Sequence, residues 1–467
     1  MPKKRKAPSD AFSDLLAHAE PSPPAAVSLS GPPSDPNRCL ISNYSVAKNE
    51  TAFSIPFRKL ITPESPHNFL EEVDKIYPDK NKNNKTQPSP DNLINNTDVA
   101  LCLNLMALPV AHPYKSILPS QSLFSSCLPV CWESKVLAPL LKGSAVLISE
   151  IETIKATLRT LFDCVVSKIS PSSSFPDFLN AWCVVSSRSF SVQDMSSGIS
   201  VSALLPLVDM CNHSRPRVCS YKKSSDRVVL TALKDIKVGD EISITYGAKS
   251  SSELLRDYGF ALPPSSNTEP DGSSNDRVKI KIRDNIVTFR APGGGPSYSY
   301  FCLSEGVSAV KDVGESGVIP VEEFEEEEEW NDDDDEEDLH GQFDFGDEDE
   351  DEEDEDVGEG EGDIEEEIFS RVSLLLLTLK TSLSLYSSPP FSSNPSCLIV
   401  LSNDVRIINF YIKVCETILE FKETVKGEKD GEKIRKYVES LKSRGDEWEA
   451  VQAFCKLKLL MSLSKYF

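Results

Sequence analysis

The sequence predicts an α+β protein in which a β-rich fold carries a helical insertion and is followed by a mainly helical C-terminal domain. Two patterns lead there. Short β-rich runs bounded by turn residues cluster before residue 290, whereas apolar stripes at three- and four-residue spacing occupy 98–167 and the stretch beyond 400. Between the two kinds of pattern lies an acidic segment, with 31 Asp or Glu among the 46 positions from Glu322 to Glu367 and no Lys or Arg.

Residues 1–36 are rich in Pro, Ser and Ala and are expected to be a disordered tail. They open with Pro2-Lys3-Lys4-Arg5-Lys6, a basic cluster of the kind read by nuclear import receptors, or else a solvated terminus without an address. Cys39-Leu40-Ile41 and Ala52 to Ile55 flank a turn at Lys48-Asn49-Glu50, which predicts a hairpin. A polar, Asn/Pro-rich stretch from about 66 to 97 precedes helices predicted over Asp98–Ala107 and Ser149–Ser167. The second helix is signalled by Ile151, Ile154, Leu158 and Leu161. An apolar run from Val201 to Val208 ends at Asp209. Strands follow at Arg227–Leu233 and Glu241–Tyr246, separated by the turn Lys237-Val238-Gly239-Asp240. A second hairpin joins 277–282 to 286–289 around Arg283-Asp284-Asn285. Beyond the acidic segment, Val405, Ile408, Ile412, Cys415 and Ile418 form one helical stripe, and Trp448, Val451, Phe454, Leu457 and Leu460 another. Both are read as core seams.

The formal charge of −25 is local. Setting aside those 31 acidic residues from the 74 leaves 43 against 49 basic ones, so the folded part is mildly basic. The segment's like charges repel and few apolar groups offset chain entropy, which predicts a disordered loop over about 320–367. It is either a solubilising spacer or a docking surface for basic proteins. Hydrophobic residues at 39% suffice for a sizeable core, and no signal peptide or long uncharged apolar run stands out. The 12 cysteines are scattered, mostly in apolar settings, and Cys127 and Cys131 lack a second pair at zinc-finger spacing. Reduced thiols are expected, with no disulfide and no metal site. The alternating basic strand 277–282 is read as a solvated face rather than a nucleic-acid contact.

The chemistry-bearing stretches are PLVDMCNHS (206–214), GDEISITYG (239–247) and ELLRDYGF (253–260). Singly, each has a bland reading: a loop with a satisfied histidine, a core tyrosine at a strand end, a helix terminus capped by glycine. A histidine alone, with no companion ligands, does not make a metal site. Together and in this order they resemble the carboxy-terminal half of a SET domain. The wider pattern is similar to the class of the Rubisco large-subunit methyltransferases and their relatives. SRSF (187–190), PYKSILP (113–119), LPVCW (128–132), LLKGS (140–144) and SIPFRKLIT (54–62) extend the likeness over about residues 37–290.

That resemblance implies a SET domain over 37–262, split by a helical insert at about 64–180, and a substrate-binding-like domain over 277–467 interrupted by the acidic loop. It also implies S-adenosylmethionine as cofactor. By resemblance, Arg188, Asp209, Asn212, His213 and Tyr258 line the cofactor pocket, and Tyr246 is the catalytic phenol. A phenol both donates and accepts hydrogen bonds while neutral at pH 7, which suits it to orienting an amine. The implied partner is a lysine-bearing protein, expected to be basic, and the chain is expected to act as a monomer without membrane or nucleic acid, in the nucleus if the Pro2–Lys6 cluster is an address or else in the cytoplasm.

Two departures matter. SET domains usually open with a glycine turn of Gly-x-Gly type, and the equivalent place here is Asn37-Arg38-Cys39-Leu40. A side chain where backbone must approach closely takes up space, so the gene model is altered, the pocket is remodelled or the activity is lost. In the branch of the class that modifies histidine in actin, Trp precedes the Asp-Met pair and Arg follows the Tyr-Gly pair. Here Val208 and Lys249 stand there, which points to lysine. The rival functions are a silent SET-like module that binds a partner and an acidic chaperone for basic proteins.

Overall fold

The computed structural model describes residues 8–31, 35, 38–77, 94–193, 200–224, 226–269, 273–293, 296–310, 361–386, 394–427 and 431–457. The basic cluster at Pro2–Lys6 and most of the acidic segment lie outside them.

The chain begins with α1 (Pro8–Ala19), β1 (Val27–Leu29), β2 (Leu40–Ser42) and β3 (Thr51–Pro56). The expected disordered tail over 1–36 is therefore corrected. In α1, Phe12, Leu15 and Ala19 fall on one face and are buried, and Val27 of β1 is buried too. The Pro-, Ser- and Ala-rich composition hides this short apolar face. The expected hairpin between 39–41 and 52–55 is corrected as well. Asn49 does turn with a left-handed φ of 69°, but β2 pairs with β1, and β3 pairs antiparallel with a strand some 180 residues later.

Among the described residues, the α-helices that come next are α2 (Phe69–Ile76), α3 (Asn96–Ala107), α4 (Pro113–Ile117), α5 (Gln121–Cys127), α6 (Ser134–Leu140), α7 (Ala145–Leu161), α8 (Ser167–Ile169) and α9 (Phe175–Arg188). Their boundaries are written in the sequence. Asn95 with Asp98, and Ser174 with Asp177, close reciprocal capping boxes at the starts of α3 and α9. The stripe Ile151, Ile154, Leu158 and Leu161 is buried along α7.

The β-rich part resumes with β4 (Ser189–Gln193), β5 (Ser200–Leu204), β6 (Asn212–His213), β7 (Cys219–Ser224), β8 (Arg227–Ala232) and β9 (Ser243–Ile244). β8 is central to a three-stranded sheet, with β3 and β7 on its flanks. Only Ser243 and Ile244 of the expected strand 241–246 form a ladder, and that ladder is parallel to β6. Just before it, the Ile242 amide donates to the Leu40 carbonyl and the Ser42 amide to the Asp240 carbonyl. Three segments remote in sequence (40–42, 212–214 and 240–244) are thus laced together at one place.

The rest is α10 (Ser251–Tyr258), β10 (Arg277–Ile282), β11 (Asn285–Arg290), α11 (Pro296–Ala309), α12 (Glu361–Tyr386), α13 (Pro395–Gly427), α14 (Gly431–Lys442) and α15 (Asp446–Leu457). β10 and β11 form the expected hairpin, with Arg283 at φ 54° in its turn. Phe289, Tyr411, Phe421 and Phe454 centre the C-terminal core, each burial contributing roughly 1.5–3 kcal/mol. The acidic segment is corrected at its end: residues 361–367 begin α12. Glu366–Tyr386, with a mean hydropathy of 1.4, is long and apolar enough to cross a membrane by composition alone, a run the sequence reading passed over. Its Phe369, Val372, Leu375 and Leu379 are spent on the C-terminal core.

The two cores meet through a smaller cluster, in which Trp132, Leu137, Leu147 and Ile151 from the insert pack with Leu255, Cys397 and Val400. Polar groups cross the same junction. Asp404 is wholly buried and accepts hydrogen bonds from Ser144 Oγ at 2.5 Å and Tyr386 Oη at 3.0 Å. Burial lifts its carboxyl to about 7; the Ser144 and Tyr386 hydrogen bonds pull it down, and Asp276 adds to the rise. Because the folded value lies above the ordinary 3.8, the carboxyl's contribution is whole below that pH and is lost as pH rises through about 7. Asp404→Asn keeps both acceptor contacts without a charge. Its stability relative to wild type should rise over that window by on the order of a few kcal/mol. Thermal melts of the full chain at pH 5 and pH 8 measure this, and parallel curves would refute it.

Candidate active site

A cleft enclosing about 370 Å³ of space, part of it open to solvent, is lined by Asp35, Arg38, Pro119, Leu123, Arg188, Asp209, Met210, Asn212 and Tyr246. Four of the six expected site residues line it, and the other two, His213 and Tyr258, touch the ring of Tyr246. Helix α9 delivers Arg188 in its last turn, one turn beyond the buried Val184 and Val185 and on the same side of the helix. The turn before Asp209 is strained. Leu207, fully buried, has a left-handed φ of 78°, a conformation that costs an L side chain roughly 1–2 kcal/mol.

Asp209 has a fully buried side chain. Its Oδ2 accepts from Tyr114 Oη at 2.7 Å, and Arg188 Nη1 lies 3.6 Å from that oxygen while donating to the Asp209 carbonyl at 2.6 Å. Burial pushes the carboxyl up, whereas Arg188, Tyr114 and Arg38 pull it back. Arg38 is 7% exposed and its Nη2 approaches Met210 Sδ at 3.9 Å. Desolvation, with Arg188 beside it, lowers Arg38 to about 10. The place where a glycine turn was expected therefore presents a buried guanidinium. Its backbone still serves the site: Asn212 Nδ2 donates to the Arg38 carbonyl at 3.2 Å and to Glu241 Oε1 at 2.8 Å.

His213 Nδ1 accepts from the Tyr246 amide at 3.0 Å, joining β6 to the end of β9. Burial, with Arg215 nearby, depresses the imidazole to about 4, so it is neutral at pH 7. Tyr246 Oη donates to the Cys211 carbonyl at 2.8 Å, and burial raises its phenol further above neutrality. Its ring stacks on Tyr258, centroids 4.6 Å apart and planes at 27°. Phe260 lies 6.3 Å from both rings. Arg215 sits behind them, bound to Glu269 and to the Gly247 carbonyl. Lys249 Nζ lies 3.6 Å from Asp257 and 5.8 Å from the Tyr258 ring centroid. Among the described residues, Arg188 Nε, Asp209 Oδ1 and His213 Nε2 are buried polar atoms without a hydrogen-bond partner. A cleft that leaves such atoms unmatched has capacity to hold a polar ligand.

Sequence reasoning missed Arg38 and Tyr114 as site residues. Tyr114 lies in the PYKSILP segment, but nothing local marks it as a partner of Asp209, which it reaches across 95 positions.

Residues 37–247 match the family model described as SET domain. Actin-histidine N-methyltransferases of Gallus gallus and Homo sapiens are each 31% identical over 144 residues, covering 29% of this chain and 23% of the relative. The chain thus spans about a quarter of the length of the curated relatives it matches. Among solved structures, the SET domain of LSMT bound to lysine and AdoHcy superposes with a TM-score of 0.52 at 13% identity, over 88% of this chain and 92% of that one. Rubisco LSMT bound to AdoMet gives 0.51 at 14%, over 89% and 93%. These structures share the fold.

The aromatic wall depends on the end of α10. Gly259 caps that helix at φ 82°, and a Cβ there would lie 3.0 Å from Cys127 Sγ and 3.1 Å from the Cys127 backbone. Gly259→Ala should cost at least the roughly 1–2 kcal/mol of a left-handed L-residue. It should also disturb the Tyr246–Tyr258 stack, which near-ultraviolet circular dichroism of the folded variant reports. An unchanged melt and spectrum would contradict this.

Proposed function

We propose that this chain, which carries a SET domain over residues 37–247, is an S-adenosylmethionine-dependent protein methyltransferase that modifies lysine. The observation that bears the most weight is the convergence of Arg188, Asp209, Asn212 and Tyr246 on one cleft, with His213 and Tyr258 against the tyrosine ring. S-adenosylmethionine would supply an electrophilic methyl on a sulfonium. The donor set fits it: a guanidinium, a buried carboxylate, an amide and an imidazole, three of them with an unmatched buried polar atom. Arg188, Asp209, Asn212 and His213 would hold it.

With its proton committed to the Cys211 carbonyl, the Tyr246 oxygen keeps acceptor capacity for an amine N–H. Since burial holds the phenol neutral, it orients the amine without adding charge. The rings of Tyr246, Tyr258 and Phe260 exclude water, and desolvation favours the neutral, nucleophilic form of a lysine. Alignment in such a site supplies much of the catalysis of an in-line displacement.

Lysine is favoured by Val208, fully buried where the histidine-modifying branch has tryptophan, and by Lys249 in place of its arginine. A histidine target is the second reading, supported by the 31% identity to the actin-histidine enzymes. The substrate is proposed to be basic. The acidic segment would speed encounter with it through long-range attraction that salt screens. The basic cluster at Pro2–Lys6 supports action in the nucleus.

Labelled methyl from the donor should enter proteins of a cell lysate with wild-type chain, and Tyr246→Phe should slow that transfer roughly a hundredfold with little change in donor affinity. Asn212→Ala should instead weaken donor binding. Equal labelling by wild type and Tyr246→Phe sinks the enzymatic reading, and mass spectrometry of the labelled residue decides lysine against histidine. Deleting 322–360, which spares α12, should raise KM for a basic substrate at low salt and leave it unchanged at high salt. A KM indifferent to both deletion and salt removes the docking role.

A further inference from the structure

The helical insert meets the cleft through Pro119 and Leu123, which line it, and through Tyr114, which reaches the cleft carboxylate Asp209. Tyr114 is fully buried, and its hydroxyl donates to Asp209 Oδ2 at 2.7 Å. Asp209 in turn receives Arg188 on its carbonyl at 2.6 Å, and both Arg188 Nε and Asp209 Oδ1 are left unmatched among the described residues. We propose that Tyr114 is a positioning residue for the cleft. On this account it fixes the Asp209 carboxylate so that one oxygen is occupied and the other, with Arg188, is held for the polar end of the methyl donor. The inference rests on the donor-pocket reading given above.

The phenol suits the task for three reasons. It donates only one hydrogen bond, so it orients the carboxylate without saturating it. Burial and the neighbouring carboxylate push its ionisation far upward, so it remains a donor at any working pH. It also adds no charge to a cluster that already holds Arg38 and Arg188.

The backbone beneath it is braced from three sides. His112 Nδ1 accepts from the Tyr114 amide at 3.3 Å at the start of α4. Lys115 Nζ donates to the carbonyls of Met106 and Leu108 at 2.9 and 2.6 Å, tying α4 to the end of α3. The His18 ring of α1 meets His112 edge-on, with centroids 4.6 Å apart. Helix α1 lies outside the residues that match the SET domain, yet it buttresses the element that carries Tyr114. A tyrosine retained only for packing would need none of this chain of contacts ending on a cleft carboxylate.

The test is isothermal titration of the full chain with S-adenosylhomocysteine, alongside steady-state kinetics with methyl donor and protein substrate varied separately. Tyr114→Phe should raise the Kd roughly tenfold, the scale of a lost hydrogen bond to a charged group. The KM for the donor should rise in step, while kcat at saturating donor and KM for the protein stay within about twofold. Tyr411→Phe, which removes a buried phenol from the C-terminal core, serves as control and should leave the Kd unchanged. Adding Tyr114→Phe to Asp209→Asn should cost nothing further, because the two act through one carboxylate. If wild type itself does not bind S-adenosylhomocysteine, the donor-pocket reading falls first. If wild type binds and Tyr114→Phe binds equally, or the double variant shows full additive loss, only the role of Tyr114 is overturned. Should Tyr114→Phe melt below the assay temperature, Asp209→Asn alone carries the test, and wild-type affinity in that variant overturns the proposal.

Discussion

A carboxylate with no exposed side-chain surface is tolerable only where its charge is met by opposite charge and hydrogen bonds, since desolvation otherwise forces it to take up a proton. Asp209 is in that position. Two arginines and a phenol converge on it from β-rich and helical parts of the chain, and their placement fixes much else. Arg188 must sit at the end of α9, Tyr114 must be lifted by α4, and Arg38 must enter just ahead of β2. The buried carboxylate therefore acts as the point to which three remote segments are referred.

The lacing of 40–42, 212–214 and 240–244 explains how such convergence is held. Each ladder is only two or three residues long, too short to persist alone. They persist because Leu40, Ile242 and Ile244 are buried in the main core beneath them. Backbone pairing sets the positions of Asn212 and the start of the Tyr246 turn, and apolar burial supplies the stability. The His213–Tyr246 hydrogen bond then couples the two strands where the cleft begins.

What the sequence made legible follows from this geometry. Asn212, His213, Tyr246 and Tyr258 belong to runs whose local order is distinctive, and helices such as α3, α7 and α9 announce themselves by capping boxes or a periodic stripe. Both kinds of information are local, although α9 and the capping boxes of α3 and α9 were not read from the sequence. The partners of strands far apart in the chain were not legible, unlike those of the β10–β11 hairpin: β3 pairs with β8 rather than β2, because pairing depends on which edges the rest of the fold leaves open. Helix α1 was hidden by composition, with three buried residues in a Pro- and Ser-rich stretch. The first turns of α12 were hidden by charge. Residues 361–367 are acidic, and the apolar run after them carries the helix into the C-terminal core. Tyr114 and Arg38 lie in stretches that carried the resemblance or its departure, yet they were missed as site residues because their contacts with the site are tertiary, 95 and 172 positions away.

Arg38 decides how the absent glycine turn should be understood. Apolar side chains would fill the same space at lower desolvation cost. Instead the arginine is nearly enclosed and stands beside Arg188 despite their mutual repulsion, and it keeps its carbonyl in register for Asn212. Desolvating two guanidiniums beside one buried carboxylate is costly unless the cleft has use for the charge. Where a glycine turn was expected, the cleft is thus shaped by a buried cation whose own carbonyl accepts from Asn212.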